Sequence, residues 1–293
     1  MNSEQRQFDG VDEDIHLVTL VPSVDTRAVM LFVHGHGEFV SRYVELFAPL
    51  VDGLGIKIVM PDLPGHGMST GKRGHVRRLD QIATLYSQLA DEERGAESLP
   101  IFLAGHSMGG LIAAWLTLEH QIQPDAVWMA SPLLVPGKAK SPLILTAAKF
   151  LDKIAPTLVI HNGVKESDCY VMGEKGEIPA DDNADKWQPV EMVHRWISMR
   201  LGMELVRAEK RVWSESAELW PSDTPLLLTQ GGKDPVCPPE NSREFVRGLE
   251  ASGRAVRYHE FPDALHEPHR DGHADELARL VADWLAEQLD AAG

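Results

Sequence analysis

Gly105-His106-Ser107-Met108-Gly109-Gly110 sets a serine among small residues, after the apolar run 100–104 and before the helix-forming run 111–118. A Gly-x-Ser-x-Gly segment between a strand and a helix makes a turn sharp enough to lift the hydroxyl above a sheet. Larger neighbours would collide with the backbone there. A serine hydroxyl attacks only when a base takes its proton, so an imidazole oriented by a carboxylate must accompany it. The chain supplies both further along. Asp234 lies in the turn Gln230-Gly231-Gly232-Lys233-Asp234 after the apolar run 225–229, and His266 in the loop Pro262-Asp263-Ala264-Leu265-His266 after 255–261. Each candidate stands just past a strand-like run, the edge where open parallel sheets gather reacting groups.

Attack on an acyl carbon creates an oxyanion that needs two donors. The amide of Met108, next to the serine, is one candidate. The other is the amide of His36 in His34-Gly35-His36-Gly37-Glu38, which follows the apolar run 28–33. Thirteen histidines raise the question of a metal. His266-Glu267-Pro268-His269 has one residue too few between Glu and His for a zincin helix, and that residue is a proline. Neither a catalytic metal nor a cofactor is expected.

The elements that must hold these groups alternate regularly. Strands are expected over 15–21, 28–33, 56–60, 100–104, 126–130, 225–229 and 255–261, and helices over 42–53, 79–94, 108–120, 239–251 and 275–289. Such alternation argues for a mostly parallel sheet with helices on both faces. Between 131 and 223 roughly ninety residues separate two strands, too many for a structureless loop, so an inserted subdomain is expected. The division is a core of 1–131 and 223–293 and a cap of 132–222, with helices over 142–154 and 190–210 and irregular chain over 163–185. On the longer helix Val190, Val193, Ile197, Leu201 and Leu205 form one apolar stripe and Met192, Trp196, Met199 and Met203 a second. Two stripes imply contact on two sides, either within the cap or against an apolar channel that methionine suits.

Composition narrows the function. Apolar residues at 43% and charged residues at 25% are globular values, which excludes disorder. Net charge is −16, with no basic run to offset it, so nucleic-acid binding is excluded. The two cysteines, Cys169 and Cys237, cannot build a disulfide framework and fit a reducing compartment. The N-terminal residues lack the apolar core of a signal peptide, and no run reaches spanning length, so a cytoplasmic setting is expected. Cys237, three residues past Asp234, offers two readings, thiol sensitivity near the site or, favoured, a buried inert thiol.

The segments His34–Glu38, Asp62-Leu63-Pro64-Gly65-His66-Gly67-Met68-Ser69, Gly105–Gly110, Gly232-Lys233-Asp234 and Leu265-His266-Glu267 together resemble the α/β-hydrolase superfamily. Within it they are similar to the monoacylglycerol lipase and lysophospholipase group, the serine aminopeptidase S33-like hydrolases. The resemblance implies an α/β-hydrolase fold with a helical cap facing lipid. It also implies a polar head-group pocket formed by Glu38, Arg42 and His269. His36, where the group often has an aromatic or small residue, and the acidic stretch 166–185 depart from the group's pattern.

The expected activity is hydrolysis of monoacylglycerol-like single-chain lipid esters through an acyl-enzyme on Ser107, with His266 as base and Asp234 as its orienting carboxylate. The alternatives are a lysophospholipase or broad carboxylesterase and, in another class, a non-catalytic binding module of the same fold. The expected partner is a small lipid ester, with transient membrane-surface contact through the cap; the sequence leaves the oligomeric state open.

Overall fold

The computed structural model of the chain describes residues 1–95, 99–119, 122–134, 141–170 and 193–292. In chain order the main elements are β1 (Asn2–Arg6), β2 (Ile15–Leu20), β3 (Ala28–Val33), α1 (Val44–Leu54), β4 (Ile56–Pro61), α2 (Leu79–Arg94), β5 (Ile101–His106), α3 (Met108–Leu118) and β6 (Ala126–Ala130). Then come α4 (Pro142–Ile154), β7 (Val159–His161), β8 (Trp196–Ser198), α5 (Met199–Leu219), β9 (Leu226–Gly231), α6 (Pro239–Ala251), β10 (Val256–Phe261) and α7 (Ala274–Ala292).

The eight-stranded sheet runs β1-β2-β4-β3-β5-β6-β9-β10, and β2 alone runs antiparallel to the rest. Alternation along each central strand explains why both faces are covered. Val29, Leu31 and Val33 of β3 join one core with α2, α3, α5 and α6, whereas Ala28, Met30 and Phe32 join the other with α1 and α7. A strand apolar at every position can lie only between two layers. This is the α/β-hydrolase fold. The parallel register pairs Val33 with Gly105, His106 with Ala130, and Gly231 with Phe261, so the chain following β3, β5, β9 and β10 leaves along one sheet edge.

Two expectations need correction. The edge strand β1 has an exposed polar sequence, NSEQR, which carries no strand pattern; backbone pairing with β2 holds it. The long helix of the insertion begins at Met199, not 190, because the Ser198 side chain caps it by accepting from Leu201 N at 3.1 Å. Its stripe is Leu201, Leu205, Ala208 and Val212, buried in the sheet-side core beside α3. α5 therefore packs into the body. Trp196 lies half exposed on β8, outside that helix, while Met199 and Met203 are buried. Met192, Trp187 and the acidic stretch 171–185 lie outside the described residues.

Candidate active site

Ser107 joins β5 to α3 with φ 53° and ψ −117°. A positive φ at a residue with a Cβ is strained by about 1–3 kcal/mol and persists only where its surroundings impose it. Here the Ser107 N–H donates to Ala130 O at 2.9 Å, and its carbonyl accepts from Leu111 N at 3.2 Å and Leu133 N at 2.9 Å. The turn tolerates nothing larger beside it: a Cβ on Gly109 would lie 1.9 Å from Val33 O. The serine thus stands at the head of α3, where the first-turn amides, that of Met108 included, have no intrahelical partner and the helix dipole favours negative charge.

Asp234 follows β9 and is held from four sides. Its Oδ1 accepts from Val236 N and Cys237 N, both at 2.8 Å, and its Oδ2 accepts from Gln230 Nε2 at 2.9 Å. The fourth partner is His266 Nδ1 at 2.7 Å. A carboxylate facing only donors fixes the tautomer, so Nδ1 carries the proton and Nε2 keeps its lone pair. Ser107 and His266 line one cavity of about 310 Å³ with His36 and Glu38 of the loop after β3. Among the described residues, no hydrogen bond joins the Ser107 hydroxyl to the His266 imidazole, whose ring bonds to Asp234. Unliganded sites often hold such bonds loosely and tighten around substrate. Burial, then the Asp234 carboxylate, push the Cys237 thiol well up, with the Ser107 contact opposing them.

Of the three expected head-group residues, Glu38 and Arg42 line this cavity and His269 does not. Arg42 pairs with Glu267 at 3.2 Å. Glu38 accepts from Gly35 N at 3.0 Å and from the Tyr43 hydroxyl, and its Oε1 lies 3.3 Å from His106 Nδ1. Burial alone would raise the Glu38 carboxyl, but His106, then Arg42 and Tyr43, hold it well below the usual carboxylate range. Burial likewise opposes charge on His106, and Glu38 overrides it and raises that imidazole. Each shift favours the charged form of its group beside the other, and His106 Nε2 donates to His266 O at 3.3 Å. His269 stacks on Tyr43 with ring centres 5.1 Å apart and meets His106 edge-on at 4.8 Å, so it packs this network.

The rest of the lining was not legible as a motif. Asn162, Tyr170, His194 and Arg195 come from the chain between β6 and α5, and Arg270 from the turn after His266. His194 N donates to Gly37 O at 3.1 Å, and the fit is close enough that a Cβ on Gly37 (φ 76°) would lie 1.9 Å from His194 O. Asn162 Nδ2 donates to His36 Nδ1 at 3.2 Å. His36, His66 and His194 form a triangle of rings 4.9–5.5 Å apart, with His34 5.3 Å from His66. Burial is the first cause lowering all four, His36 to about 3, so none is charged in neutral solution. Among the described residues, His36 Nε2, His66 Nε2 and both ring nitrogens of His194 have no hydrogen-bond partner. Among the described residues, the His/Cys/Asp/Glu group whose ligand atoms converge is Asp234, Cys237 and His266, all within 4.8 Å of one another.

The family described as serine aminopeptidase, S33, matches residues 24–273. A phospholipase, YtpA, of Bacillus subtilis is 30% identical, the match covering 83% of this chain and 91% of that protein. An uncharacterized abhydrolase domain-containing protein of Dictyostelium discoideum is 26% identical over 96% of this chain, which spans 28% of that longer protein. Among solved structures, the monoacylglycerol lipase of Paleococcus ferrophilus superposes with a TM-score of 0.76 at 28% identity, covering 93% of this chain and 99% of that one.

Proposed function

The chain belongs to the serine aminopeptidase S33 family of α/β-hydrolases and is a serine ester hydrolase, and from that premise we propose that it cleaves monoacylglycerol-like single-chain lipid esters through an acyl-enzyme on Ser107. The observation that carries this reading is the four-donor clamp on Asp234, which leaves His266 Nε2 as a free base in the cavity that Ser107 also lines. In the proposed reaction Nε2 takes the Ser107 proton as Oγ attacks the acyl carbon. The amides of Met108 and His36 hold the oxyanion. The imidazolium, stabilised by Asp234, then protonates the departing glycerol oxygen. Water repeats the cycle on the acyl-serine and frees the acid.

Charge in the cavity supports an uncharged polar head group. Glu38, Glu166 and Glu267 face Arg42, Arg195 and Arg270, three carboxylates against three guanidinium groups, so neither a phosphate nor a choline meets a net opposite charge. A glycerol offers hydroxyls that both kinds of group can bond. The phospholipase relative keeps a lysophospholipase as the second reading. Rates on monoacylglycerol, lysophosphatidylcholine and short aryl esters decide between them. Arg42→Met, which removes a donor but keeps the stem, should raise KM for monoacylglycerol about tenfold, the loss of a charged hydrogen bond. A smaller rise is expected for a short aryl ester, and equal rises on both substrates would remove Arg42 from head-group recognition.

We further propose 132–222 as the substrate-covering insertion, with α4 its membrane-facing element. Leu143, Ile144, Phe150 and Ile154 of α4 are exposed, as are Ile160 and Trp196 on β7 and β8. Contiguous exposed apolar side chains of this size mark an interaction surface. Among the described residues no helix is long and apolar enough to cross a membrane, so the contact proposed is peripheral. Phe150→Glu with Ile154→Glu should cut co-sedimentation with neutral vesicles at least about tenfold while leaving soluble-ester turnover intact. Unchanged sedimentation would dismiss the surface.

A further inference from the structure

The reaction above uses Ser107, His266 and Asp234 and has no task for the thiol among them. Cys237 is 2% exposed, and its sulfur converges with a His266 ring nitrogen and an Asp234 carboxylate oxygen within 4.8 Å. Sulfur beside imidazole is the donor set that a borderline-soft divalent cation prefers over water, whereas magnesium and calcium prefer all-oxygen sites. Tetrahedral zinc, with Zn–S of about 2.3 Å and Zn–N of about 2.0–2.1 Å, separates its donors by about 3.5 Å, so ligand atoms within 4.8 Å of one another can close on it by side-chain movement.

We propose that Cys237 and His266 form a reversible inhibitory site for a thiophilic divalent cation of the zinc class, completed by solvent. The proposal rests on the reading of His266 as the base. Asp234 is not a ligand, because its two oxygens already accept from Val236 N, Cys237 N, Gln230 Nε2 and His266 Nδ1. It acts one step out, holding Nδ1–H so that Nε2 presents its lone pair, the carboxylate–histidine–metal arrangement common in zinc sites. On binding, a sulfur–metal bond replaces the S–H bond and the proton leaves to solvent, with no change of oxidation state. The ion occupies the lone pair that would deprotonate Ser107, so turnover stops until a chelator removes it.

A second cluster could attract the same ion and must be separated from the first. Among the described residues, His36, His66 and His194 bear unpartnered ring nitrogens, but those nitrogens do not converge as the Cys237 group does. The experiment measures inhibition of short-ester turnover by zinc chloride and by magnesium chloride for the native enzyme, Cys237→Ala, Cys237→Ser and His194→Gln, each against its own metal-free rate. Native enzyme should be inhibited by zinc, spared by magnesium and restored by EDTA. Cys237→Ala and Cys237→Ser should need about 10–100-fold more zinc, the usual loss when a metal site is impaired, while His194→Gln tracks native enzyme. Separately, cobalt(II) added to Ser107→Ala should give the near-ultraviolet thiolate-to-cobalt absorption, lost when Cys237→Ala is added. That arm needs no turnover, so it stands or falls independently of Ser107 being the nucleophile. Equal zinc sensitivity in Cys237→Ala, no inhibition of native enzyme, equal inhibition by magnesium, sensitivity that disappears with His194→Gln, or no sulfur-dependent cobalt band would each overturn the site.

Discussion

Ser107→Ala should lower kcat on p-nitrophenyl esters and on monoacylglycerol by about 10⁶-fold with KM little changed, the size of loss seen when a serine hydrolase loses its nucleophile. The expectation follows from what the substitution leaves behind. Alanine keeps the backbone of the turn, the oxyanion amides and the cavity, so substrate still binds, but no atom remains to form the acyl bond. The same change should relieve no strain, because φ of 53° is as unfavourable for alanine as for serine. Thermal unfolding of the variant should therefore match the native enzyme within a few degrees. A variant that turns over at near-native rates would show that the reaction does not pass through Ser107.

Asp234→Asn should lower kcat by about 10⁴-fold, through the tautomer of His266 rather than through loss of the residue's shape. An asparagine has one oxygen and one amide nitrogen to face four donors. With nitrogen on the Oδ1 side, the backbone amides of Val236 and Cys237, both at 2.8 Å, lose their acceptor and cannot adapt. Each buried N–H left unpaired costs about 1–3 kcal/mol. Nitrogen on the Oδ2 side instead faces Gln230 and His266, and the imidazole can adapt by moving its proton to Nε2. The variant should fold that way, with Nε2 protonated and unable to act as base. Kinetics on a p-nitrophenyl ester, together with imidazole nitrogen shifts in NMR, check both halves. A loss below about tenfold, or a His266 that keeps Nδ1–H, would mean that Asp234 does not set the base.

The elements that position the site were written plainly in the chain because each obeys a short-range rule. β3 is apolar at every residue and β5 through Ile101–Ala104, so both must be central, and α2 and α6 have the bounds that their periodicity implies, Leu79–Arg94 and Pro239–Ala251. The turn at Ser107 is legible because its backbone admits only the residues found there. The covering segment is different. Asn162, His194 and Arg195 reach the cavity through single backbone pairings such as His194 N to Gly37 O, which leave no periodic trace in sequence. Val190, Val193 and Ile197 continue the apolar spacing of the long helix and so extend its expected start nine residues too far, whereas a side-chain cap at Ser198 fixes its start. His269 was placed in the pocket by resemblance alone; its contacts are the rings of Tyr43 and His106, which no local pattern could reveal.

The central claim is that Ser107 is made nucleophilic by His266 and takes up the acyl group. Intact-mass analysis after exposure to a fluorophosphonate probe, followed by peptide mapping, addresses it with no assumption about the natural substrate. The account predicts one covalent adduct per chain, carried on Ser107 and absent from Ser107→Ala. A native protein that stays unmodified, or that carries its adduct on another residue, would contradict it.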